Sequence, residues 1–214
     1  MTFTRAIGSG CDKVILLIVR GLALSRIHPN VLTFLGLLVN GVAAALLASG
    51  RFLAAGVVIM VAGLFDMVDG RVARETNRVT RFGGFFDSVL DRYSDLVLLM
   101  GLLVYYASIN RFFYVVLTAV VMTGSVMVSY TRARAECAIP RCKVGFMERP
   151  ERLVLFIIGA LTGRMAQVLW VIAVLSNLTV AHRMIYTWQE TRRREEAQRD
   201  PGRVREAAAS RRTE

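Results

Sequence analysis

Asp66-Met67-Val68-Asp69-Gly70-Arg71-Val72-Ala73-Arg74, then eight residues, then Gly83-Gly84-Phe85-Phe86-Asp87-Ser88-Val89-Leu90-Asp91: four aspartates lie within 26 residues, between long apolar runs. An ionised carboxylate near the middle of a membrane helix costs about 2.5–3.5 kcal/mol on insertion scales, so four of them require a compensating partner. Asp66 and Asp69 are three residues apart, and Asp87 and Asp91 four, so each pair shares a helix face. The pairs are nearly mirror-symmetric about the polar connection at 75–82. Two antiparallel helices would then bring all four carboxylates to one depth, roughly 10–15 Å from their shared end at ~1.5 Å per residue. Hard oxygen ligands without cysteine or histidine suit Mg²⁺ or a similar divalent ion.

The chain around this segment is too apolar for an ordinary soluble fold. Of its 214 residues 55% are hydrophobic, and mean hydropathy is positive. Apolar segments near or above the ~20 residues needed to span a bilayer fall at about 31–49, 54–74, 85–107, 112–131, 152–162 and 166–187. The fifth is short before Gly163-Arg164 and can extend back through Glu151. The fold class expected is an all-α integral membrane protein of six transmembrane helices, preceded by an amphipathic interfacial helix. Its divisions are an amphipathic juxtamembrane helix over 1–28, the six-helix domain over 29–188, and a charged tail over 189–214, a fraying helix that runs into disorder.

A net charge of +11 raises the question of nucleic acid, but the distribution of the charge answers it. Arg5, Lys13, Arg20 and Arg26 precede the first span; Arg71, Arg74, Arg78 and Arg81 flank the second-to-third connection; Arg132, Arg134, Arg141, Lys143, Arg149 and Arg152 flank the fourth-to-fifth. The alternate connections are tight, with one arginine each (Arg51, Arg111, Arg164). Placing both termini and both basic connections in the cytoplasm satisfies the positive-inside rule, and makes an anionic lipid surface the bulk partner rather than nucleic acid. Cys11, Cys137 and Cys142 form no metal-ligand pattern and would face the reducing side. Arg20 interrupts the apolar run Val14–Val19 and no small-residue cleavage site follows, which disfavours a signal peptide. Instead Ile7, Cys11, Val14, Ile15, Ile18 and Leu22 recur at helical spacing opposite Arg5, Asp12, Lys13 and Arg20, as in a helix lying on the membrane.

The aspartate segment fits the pattern D-x-x-D-G-x-x-A-R-x₈-G-x-x-x-D-x-x-x-D, filled by Asp66, Asp69, Gly70, Ala73, Arg74, Gly83, Asp87 and Asp91. This resembles the signature of the CDP-alcohol phosphotransferase family of membrane enzymes, and the six-span layout extends the resemblance over most of the chain. The chemistry asked of each residue type has its own logic. A pyrophosphate-linked donor repels an incoming nucleophile; two divalent ions neutralise it and stabilise the leaving group. Gly70 and Ala73 lack bulk, so a base or pyrophosphate can approach the helix, and Arg74 offers a fork of donors to phosphate. The resemblance implies a CDP-lipid donor (CDP-diacylglycerol or an ether analogue) and two metal ions, Mg²⁺ or Mn²⁺, on Asp66, Asp69, Asp87 and Asp91. Asp91 is further implied to be the general base for the acceptor hydroxyl. Donor contacts are implied for Asp66, Gly70, Ala73, Arg74, Thr80 and the opening of the first span, Pro29-Asn30-Val31-Leu32-Thr33. Asp95 continues the Asp87–Asp91 stripe outside the motif, and a supporting role suits it better than ligation.

Span four ends Ser129-Tyr130-Thr131-Arg132, span five begins Met147-Glu148-Arg149-Pro150-Glu151-Arg152, and span six carries His182-Arg183. Several arginines at the aspartates' membrane face suit an acceptor that itself bears a phosphate. These segments resemble the phosphatidylinositol phosphate synthase branch of the family, whose acceptor is an inositol phosphate. Ser129, Arg132, Arg149, Arg152 and Arg183 are the acceptor-phosphate candidates; that branch often has lysine where Arg132 stands. Glycerol 3-phosphate is the alternative acceptor. A divalent-cation transporter and a non-catalytic scaffold are the rivals from other classes, although neither gives Gly70, Ala73 and Arg74 a role. The family resemblance also implies a homodimer, and Gly56, Gly63, Ala119 and Gly124 suit close helix packing.

Overall fold

The structure is a computed structural model that describes residues 29–75 and 80–199; the side chains of residues 29, 67–75 and 197 lie outside the described set. The expected interfacial helix over 1–28 and the last part of the tail, 200–214, also lie outside it. The described residues form six α-helices and no strand: α1 (Pro29–Ala48), α2 (Phe52–Glu75), α3 (Arg81–Ser108), α4 (Phe112–Ala138), α5 (Arg149–Thr162) and α6 (Met165–Arg199). α6 runs on into the charged tail as far as Arg199, with Arg194–Glu190 and Arg192–Glu196 pairs on its surface.

Each helix packs against two others, in the cyclic order α1, α2, α5, α6, α4, α3. The up-and-down path makes the two ends of this bundle chemically different. At one end Leu47, Ile59, Leu99, Leu102, Val121, Phe156, Leu169 and Ile172, drawn from all six helices, form one buried cluster. The three tight turns close this end. Gly50, Asn110 and Gly163 take positive φ (76°, 55° and 67°), the left-handed conformation that lets a helix stop and reverse. Packing here is close: a Cβ on Gly101 of α3 would collide with the Ala44 carbonyl of α1. Gly56 and Gly63 face Leu161 and Leu153 of α5, and Gly124 faces Ser176 of α6, so these small residues serve contacts within the chain.

By length and apolar composition α1, α4 and α6 are each able to cross a membrane, and α2 carries a shorter apolar stretch, Phe52–Asp66. The remaining helices fall short for identifiable reasons. Asp87, Asp91, Arg92 and Asp95 interrupt α3, and α5 has only 14 residues, about 21 Å at ~1.5 Å per residue. α3 carries its charges along its middle, and α5 carries Arg149, Glu151 and Arg152 at its start.

Two of these charge-bearing helices start on side-chain caps. Thr80 takes extended backbone angles before α3, and its hydroxyl accepts from the Gly83 N–H at 2.9 Å. Glu148 begins α5 in a reciprocal capping box with Glu151, whose Oε2 accepts from the Glu148 N–H at 3.0 Å, with Pro150 in the first turn. The connection before α5 is fastened to α6, because Thr179 Oγ1 accepts from both the Phe146 and Met147 N–H groups, at 3.1 and 3.0 Å.

Candidate active site

The end opposite the apolar cluster collects the start of α1, the end of α2, the start of α3, the end of α4, the start of α5 and the later half of α6. Asp66 from α2 and Asp91 from α3 meet there through one cation. Arg149 Nη2 lies 2.7 Å from Asp66 Oδ2, and Arg149 Nη1 lies 3.0 Å from Asp91 Oδ1. Its Nε faces Asp95 Oδ1 at 3.7 Å. Asp87, one turn before Asp91, is close enough to Asp66 and Arg149 to interact electrostatically with both. Gly36 of α1 backs the site: a Cβ there would stand 3.2 Å from Asp66 Oδ1.

Asp69 carries the fourth carboxylate outside the described side chains, and among the described residues no three acidic, histidine or cysteine side chains are grouped as an ion-holding set. The Arg149 guanidinium between Asp66 and Asp91 supplies compensating charge to both. Arg149, expected among the acceptor arginines, is therefore engaged with the aspartates. Asp69, Gly70, Ala73 and Arg74 follow Asp66 on α2, and their side chains fall outside the described set. The donor chemistry still fits a divalent cation. Hard carboxylate oxygens from two helices converge within one guanidinium's span, and a positive group already sits between them.

The other arginines form two further nodes. Arg152, 3% exposed, gives Nη2 to Asp95 Oδ2 at 2.7 Å and Nη1 to the Ser125 carbonyl at 3.2 Å, while its buried Nε has no partner. Asp95 thus supports Arg152, the role outside the motif that its position suggested. Arg183, 1% exposed, donates Nε to the Val144 carbonyl at 2.8 Å and Nη1 to the Val128 carbonyl at 2.5 Å. Its Nη2 reaches Glu148 Oε1 at 3.1 Å, and Arg132 Nη1 reaches the same oxygen at 3.0 Å. Ser129 is half-buried on α4, next to the Val128 carbonyl that Arg183 uses.

The expected donor-binding residues divide. Asn30 and Gly83 adjoin, the Asn30 Oδ1 lying 3.5 Å from where a Gly83 Cβ would be, so the start of α1 meets the start of α3. Leu32 and Thr33 are buried while Val31 faces outward. The Thr80 hydroxyl oxygen is the cap acceptor for the Gly83 N–H. Sequence reading passed over Glu148, whose single oxygen joins two arginines; the Glu148-x-x-Glu151 spacing around Pro150 was the available signal, since it marks a capped helix start.

Six helices with facing carboxylates and arginines at one end of the bundle define a membrane enzyme class. The chain belongs to the CDP-alcohol phosphatidyltransferase family, whose sequence model matches residues 26–189, and is accordingly a transferase. It is 37% identical over 164 residues to the archaetidylinositol phosphate synthase of Methanothermobacter thermautotrophicus, covering 74% of this chain and 82% of that protein. It is 36% identical over 182 residues to the phosphatidylinositol phosphate synthase of Mycobacterium tuberculosis, covering 80% and 84%. The crystal structure of the M. tuberculosis enzyme with CDP-DAG bound superposes with a TM-score of 0.76 at 33% identity, covering 82% of this chain and 94% of that one. The same enzyme in complex with manganese and citrate gives 0.76 at 34% identity, covering 81% and 88%.

Proposed function

We propose that this chain transfers a phosphatidyl-type group from a CDP-lipid, CDP-diacylglycerol or its ether analogue, to a hydroxyl of an inositol phosphate, releasing CMP. The observation that carries the reading is the meeting of Asp66 and Asp91 from neighbouring helices beside the nodes of Arg152 and of Arg132 with Arg183, all at one end of the bundle. The names of the relatives, an archaetidylinositol phosphate synthase and a phosphatidylinositol phosphate synthase, support the acceptor.

In this reading Asp66, Asp69, Asp87 and Asp91 hold two divalent ions, Mg²⁺ or Mn²⁺, which when bound neutralise the pyrophosphate and stabilise the departing CMP. The manganese complex of a relative supports a divalent ion. Pro29–Thr33, Gly70, Ala73, Arg74 and Thr80 bound the nucleotide side. Arg152, Arg132 and Arg183 hold the acceptor phosphate, with Ser129 nearby, and Arg149 stands between the two groups. Asp91 takes the proton from the acceptor hydroxyl, whose oxygen bonds to the lipid-bearing phosphorus. The bond from that phosphorus to the bridging oxygen breaks, and the electron pair leaves with CMP. Charged arginines at the phosphate subsite fix the acceptor's orientation, so the chemistry gains from positioning. The active site faces the cytoplasm with both chain termini, following the basic connections, and the enzyme works as a homodimer.

The deciding experiment measures CMP release from CDP-diacylglycerol in Mg²⁺, with inositol 1-phosphate set against glycerol 3-phosphate. Preference for the inositol ester is expected. Preference for the glycerol ester would shift the acceptor, and no CMP with either would overturn the reading.

A further inference from the structure

The consecutive residues Glu148 and Arg149 carry opposite charges into two different nodes. Glu148 places one carboxylate oxygen between Arg132 and Arg183, at 3.0 and 3.1 Å, where two guanidinium groups converge on a single oxygen. Arg149 places one guanidinium between Asp66 and Asp91, at 2.7 and 3.0 Å, where two carboxylates converge on a single cation. An oxygen held by two arginines imitates a phosphate oxygen, and a cation held by two aspartates imitates a metal ion. Both imitators stand at the start of α5, on backbone pinned to α6 by Thr179 and locked by the capping box with Glu151. Exchange falls to the side chains, and these have room: Glu148 is 45% and Arg149 22% exposed at the side chain, against 1% for Arg183. Withdrawal of Glu148 also gives up its half of the capping box, while the Glu151 carboxylate and Thr179 keep hold of the backbone.

We infer that the Glu148-Arg149 dipeptide is an internal placeholder, Arg149 for the divalent ion and Glu148 for the acceptor phosphate, and that loading either ligand displaces the corresponding side chain. This rests on the proposed assignment of the two nodes. Physically the device answers a problem set by the fold. Without ligands, Asp66 and Asp91 would face each other as like charges at membrane depth, as would Arg132 and Arg183, and each arrangement is costly. The placeholders remove both repulsions at once. Their cost is competition: a ligand sees only the fraction of molecules whose placeholder has withdrawn, and its apparent affinity falls by that fraction.

A placeholder and a permanent brace give opposite signs, which makes the test direct. The purified full chain in detergent is titrated with Mn²⁺, free ion being read by electron paramagnetic resonance, and with inorganic phosphate by calorimetry. Arg149→Ala is expected to tighten Mn²⁺ binding about tenfold, as follows when roughly a tenth of wild-type molecules have the site open. Glu148→Gln, which keeps a capping acceptor, is expected to tighten phosphate binding severalfold. Unchanged or weaker Mn²⁺ binding in Arg149→Ala, or unchanged or weaker phosphate binding in Glu148→Gln, overturns the inference for that residue. Absence of Mn²⁺ binding in both wild type and variant overturns it outright. If Arg149→Ala does not purify, Arg149→Lys serves: its ammonium loses the two-pronged bridge, so tighter Mn²⁺ binding is still expected, and an unchanged constant counts against the idea. Neither readout involves CMP release. An inactive wild type that passes both titrations would therefore refute the proposed reaction, while an active one that fails them would refute the placeholder.

Discussion

The two ends of the bundle are built from the same six helices and obey different rules. At the closed end, cohesion comes from shape: Leu99, Leu102, Leu169 and Ile172 are fully buried, and Gly101 admits the backbone of α1 so closely that no Cβ fits. At the open end cohesion comes from charge: Asp66, Asp91, Asp95, Glu148 and four arginines form a lattice of ion pairs between 2.7 and 3.7 Å. Lipid-facing helices gain nothing from hydrophobic association, so the closed end must rely on tight packing. The open end gives up packing for groups that can bind and release charged ligands. Stability and function are thus separated along the bundle axis, and substitutions at the two ends should fail in different ways.

The largest effect is expected at the open end and on turnover alone. Asp91→Asn removes the proposed base while keeping shape and hydrogen-bonding capacity, and CMP release should fall by about 10²–10⁴-fold. Melting in detergent should stay near that of the wild type, since an asparagine beside Arg149 is still polar. Near-normal turnover in this variant would remove the base assignment and, with it, the claim that the open end is the chemical one.

Arg152→Ala should damage both properties. Asp95 would lose a partner at 2.7 Å inside the bundle, and breaking a buried pair from one side costs about 3–5 kcal/mol. Acceptor KM should also rise. The double variant Arg152→Met with Asp95→Leu separates the two losses: stability should return, because no lone charge is left behind, while acceptor affinity should not. If both return, Arg152 is a structural strut.

Gly101→Val tests the closed end. The added side chain meets the Ala44 backbone of α1, which cannot turn aside as a side chain can, so the cost should reach or exceed the ~1–3 kcal/mol typical of core overpacking. The midpoint of thermal unfolding should drop, and the surviving folded fraction should turn over at the wild-type rate. A large fall in specific activity at full folding would mean that the ends communicate, against the division drawn above.

Much of this division could be read in the residues. Apolar run lengths gave six helices, and the alternation of basic and tight connections gave the up-and-down path, because both depend on local composition. The D-x-x-D-G and G-x-x-x-D-x-x-x-D spacings located the acidic end, since a helix converts spacing directly into facing. What the residues concealed was pairing. Arg149 and Arg152 are three apart on one helix and look equivalent in a sequence, yet one bridges Asp66 to Asp91 and the other is seated on Asp95 and the Ser125 carbonyl. Which partner a long side chain reaches depends on the rotation of α5 against α2 and α3, a tertiary quantity with no local code. The Glu148-x-x-Glu151 spacing marks a capped helix start, but not the two arginines that Glu148 joins.

The smallest effect is expected where the same ion-pair chemistry is moved into water. Glu190 and Arg194 pair at 2.8 Å on the extension of α6, as short as Arg152 and Asp95 to within 0.1 Å, but with Arg194 45% exposed at the side chain against 4% for Arg152. An exposed i,i+4 pair contributes about 0.3–0.5 kcal/mol, further screened by salt. Glu190→Gln should therefore shift the unfolding midpoint by about a degree or less and leave CMP release unchanged. Since distance is nearly constant across the two pairs, the contrast with Arg152→Ala isolates burial as the variable. A loss from Glu190→Gln comparable to that of the buried pair would mean that the far part of α6 is covered by something besides solvent, and the charged end of the bundle would have to be drawn longer than the ion-pair lattice.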